Sequence, residues 1–190
     1  MKHRSFAALA FITLAAAATS AAQAEPWSLS GGYMGLNVGK PSYKTDCGTG
    51  FSCDNPNVSF NLYGGAMFNP YLGAELGYLN MGEADRGGGH TRAQGINLSL
   101  VGRVPFGDSR FGAFAKGGAT YGRTRVDAQT TSGIATGHET GWGGSYGAGV
   151  DYALNPTSSV VLEWQHHDFR FPGGSRDGVA STSIGFVKRF

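Results

Sequence analysis

From Trp27 onward the chain alternates apolar with small or polar residues, and it does so in eight separate segments. A period of two belongs to a strand with two unlike faces. The segments are 28–39, 59–68, 71–79, 94–104, 111–121, 142–154, 159–166 and 179–190. In the third, Leu72, Ala74, Leu76 and Tyr78 share one face, and Gly73, Glu75 and Gly77 share the other. In the seventh, Val160, Leu162 and Trp164 oppose Glu163 and Gln165. Any fold for this chain must give eight strands one apolar side and one small, polar side.

The connections narrow the choice. Asn69-Pro70, "PFGDSR" and "NPTS" from Asn155 are tight-turn sequences. Between them lie long polar stretches at 40–58, 80–93, 123–141 and 167–178. Short turns at one end and long connections at the other are the layout of a transmembrane barrel. The small, polar face carries single charges at Glu75, Arg103, Lys116, Asp151, Glu163 and Arg189. Eight strands enclose an interior only wide enough to be filled by side chains. A small, hydrogen-bonding interior inside an apolar exterior suits lipid outside, and closure leaves no unpaired edge for lipid to meet. The 32 glycines accompany aromatic residues rather than Ser or Pro, which fits ordered strands better than a linker. Phe68, Tyr71, Tyr78, Phe111, Tyr121, Trp142 and Tyr152 fall near segment ends, where interfacial girdles are expected. The predicted fold is all-β: an eight-stranded antiparallel up-and-down transmembrane β-barrel.

The N-terminus reads as an export signal. Lys2, His3 and Arg4 precede an apolar run at 6–18, and Ala22-Gln23-Ala24 is a small-residue cleavage site. Cleavage between Ala24 and Glu25 leaves 25–190 as one barrel domain. Losing Lys2 and Arg4 from 15 basic residues balances them against the 13 acidic ones, so charge gives no argument for a nucleic-acid partner. Beyond the signal no apolar run approaches the ~20 residues of a membrane helix. Cys47 and Cys53 are the only cysteines, and in an exported chain they are expected to form one disulfide.

Catalytic and metal patterns are weak. "GGSYG" at 143–147 fits G-x-S-x-G, with Asp151 and His166 following in hydrolase order. That motif needs a strand-to-helix turn, whereas Ser145 sits within an alternating strand. His166 and His167 are neighbours and point to opposite faces of a strand, so one ion cannot take both. His90 and His138 fall in separate long connections. No cofactor and no metal are implied.

"YLGAELGYLNMG", "VVLEWQHHDF" and "STSIGFVKRF" resemble the third, seventh and closing strands of the OmpA-like family of small outer-membrane barrels. The likeness runs across 25–190. It implies a multi-pass protein of a Gram-negative outer membrane, in contact with outer-membrane lipid and lipopolysaccharide. The implied role is non-enzymatic support of envelope integrity around a narrow, plugged lumen. It also implies an interior ion-pair network, to which Glu75, Arg103, Lys116 and Glu163 correspond in kind. The terminal Phe190 is implied to be read by the outer-membrane barrel assembly machinery. Well-known members carry a peptidoglycan-binding domain after the barrel; this sequence stops at the last strand, so cell-wall anchoring is not carried over. Two other roles remain open. One is an adhesin or receptor acting through the long outer loops. The other is a lipid A-modifying hydrolase, although "HHDF" lacks the serine that deacylases use on a late strand.

Intact mass of the protein recovered from outer membranes tests the export reading as a whole. The expected product starts at Glu25 and has no free thiol, and deleting Phe190 lowers its yield. A retained leader or two reactive thiols would contradict this.

Overall fold

The computed structural model describes residues 31–44, 54–86, 89–107, 109–128 and 134–190. The export signal, its Ala24/Glu25 junction, Cys47 and Cys53 lie outside the described residues. Eight strands follow in order: β1 (Gly32–Tyr43), β2 (Ser59–Met67), β3 (Leu72–Arg86), β4 (Gly89–Pro105), β5 (Phe111–Asp127), β6 (Gly137–Asn155), β7 (Ser158–Arg170) and β8 (Arg176–Arg189). Each pairs antiparallel with the next, and β8 returns to β1 from Arg189 opposite Tyr33 to Val179 opposite Tyr43. The sheet is therefore a closed up-and-down barrel.

Register fixes its shape. A walk from Tyr33 through Gly65, Glu75, Ser99, Gly118, Ser145, His167 and Val179 re-enters β1 at Tyr43, ten residues along. That stagger tilts the strands by about 40°, and with only eight strands the interior is just wide enough for side chains to fill. The short turns carry their own locks. Asn69 Oδ1 accepts the N–H groups of Tyr71 and Leu72 at 2.8 and 2.9 Å, and Asn155 Oδ1 accepts that of Thr157 at 3.0 Å.

Glycine supplies room inside. The Tyr63 ring lies across Gly35, the Tyr33 ring across Gly65 and the Phe114 ring across Gly149. In each case the glycine is the direct cross-strand partner of the aromatic residue. A Cβ at Gly35 or Gly149 would run into the ring, so a large inner residue on one strand requires none on the next.

Two expectations need correction. The strands continue well into the stretches read as long connections, with β3 reaching Arg86, β4 starting at Gly89 and β5 reaching Asp127. The reason is an inversion of phase. Along β5 the outward residues run Phe111, Ala113, Ala115, Ala119 and Tyr121, then change to Arg123, Arg125 and Asp127. The inward ones change from Lys116 and Thr120 to Val126. Below the change, lipid is the solvent of the outer face; above it, water is. The lower run, 111–121, matches the ~9–11 residues a tilted strand needs to cross the hydrocarbon. His90 and His138 thus stand on β4 and β6 rather than in loops.

The second correction concerns the interior, which is not uniformly small and polar. Tyr43, Leu79, Met81, Ala84, Ala93, Val126, Phe169, Phe171 and Val179 form a buried apolar cluster at the end of the long connections. Tyr63, Val161 and Val187 form a smaller one, with Tyr33 and Phe114 packed against it. Burying a side chain the size of Phe169 is worth about 1.5–3 kcal/mol.

Candidate functional site

Between the two apolar clusters the lumen is polar, and its charges come from strands far apart in sequence. Glu75 on β3, Lys116 on β5 and Glu163 on β7 all point inward by strand parity. The stagger brings them together. Lys116 Nζ lies 2.8 Å from Glu75 Oε1 and 2.8 Å from Glu163 Oε1. The second oxygen of each carboxylate takes a neutral donor: Tyr33 Oη donates to Glu75 Oε2 at 3.2 Å, and Asn37 Nδ2 donates to Glu163 Oε2 at 2.6 Å. Tyr63 Oη in turn donates to Asn37 Oδ1 at 3.1 Å, and its ring centre is 4.5 Å from Lys116 Nζ. Three ionic groups with 7% exposure or less thus share one hydrogen-bonded knot.

Arg103 does not belong to that knot. It grips Asp151 through Nε at 3.0 Å and a terminal nitrogen at 2.7 Å, the two-point geometry that makes such pairs strong. Arg189 lies 3.7 Å from the same carboxylate and donates to Ser159 Oγ at 2.6 Å. The four-residue network expected from sequence is therefore two clusters. One holds two acids on a base, the other two bases on an acid, and their residual charges are opposite in sign. Both border a cavity of about 310 Å³ that also touches Asn69, Pro70 and Pro105 at the short-turn end.

Toward the other end, neutral groups continue the chain of bonds. Asn97 Nδ2 donates to Ser145 Oγ at 2.6 Å and to Thr120 Oγ1 at 2.9 Å. Thr120 Oγ1 and His167 Nδ1 lie 2.8 Å apart, and His167 Nε2 is 3.0 Å from Gln165 Oε1. Ser59 and Ser181 hydroxyls meet at 2.8 Å across the wall. Above them sits the larger apolar cluster.

The hydrolase pattern comes apart in space. Ser145 faces the lumen and bonds Asn97, Asp151 is held by Arg103, and His166 stacks on Tyr146 with ring centres 4.9 Å apart. His167 faces inward, so the adjacent histidines do occupy opposite faces. Among the described residues one group has metal-ligand proximity, Glu83, Asp85 and His90 at the β3–β4 hairpin. Asp85 and His90 are exposed and Glu83 is half-buried; His90 lies 2.7 Å from Asp85, and Glu83 is engaged by Arg92.

Comparison with known proteins places this geometry. The family described as "Outer membrane protein beta-barrel domain" matches residues 6–190, and the chain belongs to it. Outer membrane protein A of Salmonella typhi is 29% identical over 83% of the chain and 45% of its own length. Its counterpart in Escherichia coli O157:H7 is 30% identical over 83% of the chain and 45% of its own length. The chain thus spans about half the length of these curated relatives. Among solved structures, Neisserial surface protein A superposes with a TM-score of 0.65 at 14% identity, covering 84% of this chain and 97% of that one. Ail, the attachment invasion locus protein of Yersinia pestis, gives 0.55 at 16%, covering 85% and 99%. These likenesses show the fold. The chain is an OmpA-like β-barrel of a Gram-negative outer membrane.

The division into two clusters is testable by unfolding in urea from lipid vesicles. Lys116→Met strands two buried carboxylates and is expected to cost about 3–5 kcal/mol. Glu75→Gln combined with Lys116→Met should be far from additive, whereas Glu75→Gln with Arg103→Met should add within ~0.5 kcal/mol. Coupling of Glu75 to Arg103 as large as to Lys116 would contradict the geometry.

Proposed function

We propose that the protein is a non-enzymatic envelope barrel that supports the outer membrane while keeping its lumen closed to free diffusion. The observation that carries this reading is that, among the described residues, all six inner-face charges, three acids and three bases, are engaged in ion pairs. A water-filled pore would leave such groups solvated along its wall. Here Lys116 sits between two strands' carboxylates with aromatic rings beside it. A solute crossing the lumen has to displace these pairs and then the apolar cluster around Leu79, Phe169 and Val179.

In this reading the short turns face the periplasm and the extended strand ends stand outside the cell. Phe190, exposed beyond the last residue of β8, serves as the assembly signal that the family resemblance implies. The disulfide between Cys47 and Cys53, in the first outer connection, orders that connection without bearing on the barrel. A small closed ring contributes only about 2–3 kcal/mol by chain entropy.

Planar-bilayer recording tests the closed lumen. The wild-type protein is expected to give small, brief openings, and Lys116→Ala or Glu75→Ala to raise their frequency or size. Large, steady, porin-like conductance from the wild type would overturn the reading.

A further inference from the structure

Immediately above the upper aromatic residues the outward faces of β4 and β5 turn basic, beside the acidic Glu83 and Asp85 of β3. The outward residues of β5 pass from Tyr121 to Arg123 and Arg125, and those of β4 from Ile96 to Gln94 and Arg92. Register sets Arg123 against Gln94 and places Arg125 directly opposite Arg92. With Asn80 and Glu83 of β3 they line a surface hollow of about 400 Å³. Two residues along a tilted strand lift Arg123 about 5 Å above Tyr121, the depth of polar headgroups rather than of acyl chains. Tyr78, an upper-girdle residue, ties the two levels by donating its hydroxyl to Gln94 Oε1 at 3.1 Å.

The charges inside this hollow are not balanced. Glu83 pairs with Arg92, and Asp127, at the end of β5, lies 2.9 Å from Arg125. Arg123 has no acidic partner among the described residues. Like charges directly opposite on a ladder destabilise it, and exposed ion pairs offset little of that. An anion seated among the three guanidinium groups removes the repulsion. Arginine, which grips phosphate by two parallel N–H donors, is the side chain suited to it.

We propose that this hollow binds a phosphate of the outer-leaflet glycolipid, held by Arg92, Arg123 and Arg125, with the acyl chains running down over Tyr78, Ile96 and Tyr121. All three lower residues are exposed on the lipid-facing wall. The in-cell role rests on the orientation proposed above. The binding itself, measured in detergent, does not, so the two can fail separately; labelling of an Arg125→Cys variant in intact cells reports the orientation.

The test is native mass spectrometry of the folded protein in nonionic detergent, titrated with bisphosphorylated lipid A. One lipid A is expected per barrel, with affinity reduced tenfold or more by Arg123→Ala or Arg92→Ala and partly kept by Arg123→Lys. Lys40→Ala on β1 should leave it unchanged. Gel mobility before and after boiling verifies folding, and Arg123→Gln replaces any alanine variant that fails it. Three results would each overturn the proposal: equal binding of dephosphorylated lipid A, full affinity in the folded arginine variants, or displacement of lipid A by millimolar inorganic phosphate.

Discussion

In hydrocarbon an unpaired backbone N–H or C=O has no water to turn to, and each one costs several kcal/mol. The pairing of β8 with β1 is what meets that condition here. Without it both strands would present open edges to lipid. Everything else follows from closing eight strands with a ten-residue stagger. The stagger sets the tilt, the strand number keeps the lumen narrow, and the narrow lumen decides which side chains can coexist inside it.

That narrowness explains the glycine content better than any flexibility argument. Tyr33, Tyr63 and Phe114 each occupy space that the partner strand vacates by having glycine directly opposite. It also explains the pairing of charges. Glu75, Lys116 and Glu163 are separated by dozens of residues in the chain but reach one level of the barrel because each register step climbs the wall. An isolated ion at that depth would be costly, while a base between two acids, each with a second donor, is satisfied. Two clusters of opposite residual charge then leave the lumen balanced as a whole.

Much of this was legible in the sequence, and the failures are informative. Period-two alternation located all eight strands and assigned Glu75, Arg103, Lys116, Asp151, Glu163 and Arg189 to the inner face, because parity is a local property. It could not assign Arg103 to Asp151 rather than to Glu75, because partners depend on stagger, which no single segment records. Tyr33, Asn37 and Tyr63 were missed as supports of the charged knot for the same reason. Strand ends were cut short where Tyr121 gives way to Arg123, since a search for one continuous apolar face stops when that face moves to the other side. A rule that allowed the apolar phase to invert would have carried β5 on to Val126. Cys47, Cys53 and the Ala24/Glu25 junction fall outside the described residues and rest on sequence reasoning alone.

The inversion is the central claim, because it makes one closed sheet a lipid-facing barrel below and a water-facing barrel with its own apolar core above. Spin labels placed singly at Ala113, Ala115, Ala119, Tyr121, Arg123, Arg125 and Val126, in protein reconstituted into vesicles, test it most directly. Collisions with oxygen should exceed those with a water-soluble nickel chelate through Tyr121. The order should reverse at Arg123 and Arg125, and Val126 should be shielded from both reagents. Oxygen dominance persisting to Arg125, or a Val126 label open to the nickel chelate, would contradict the account.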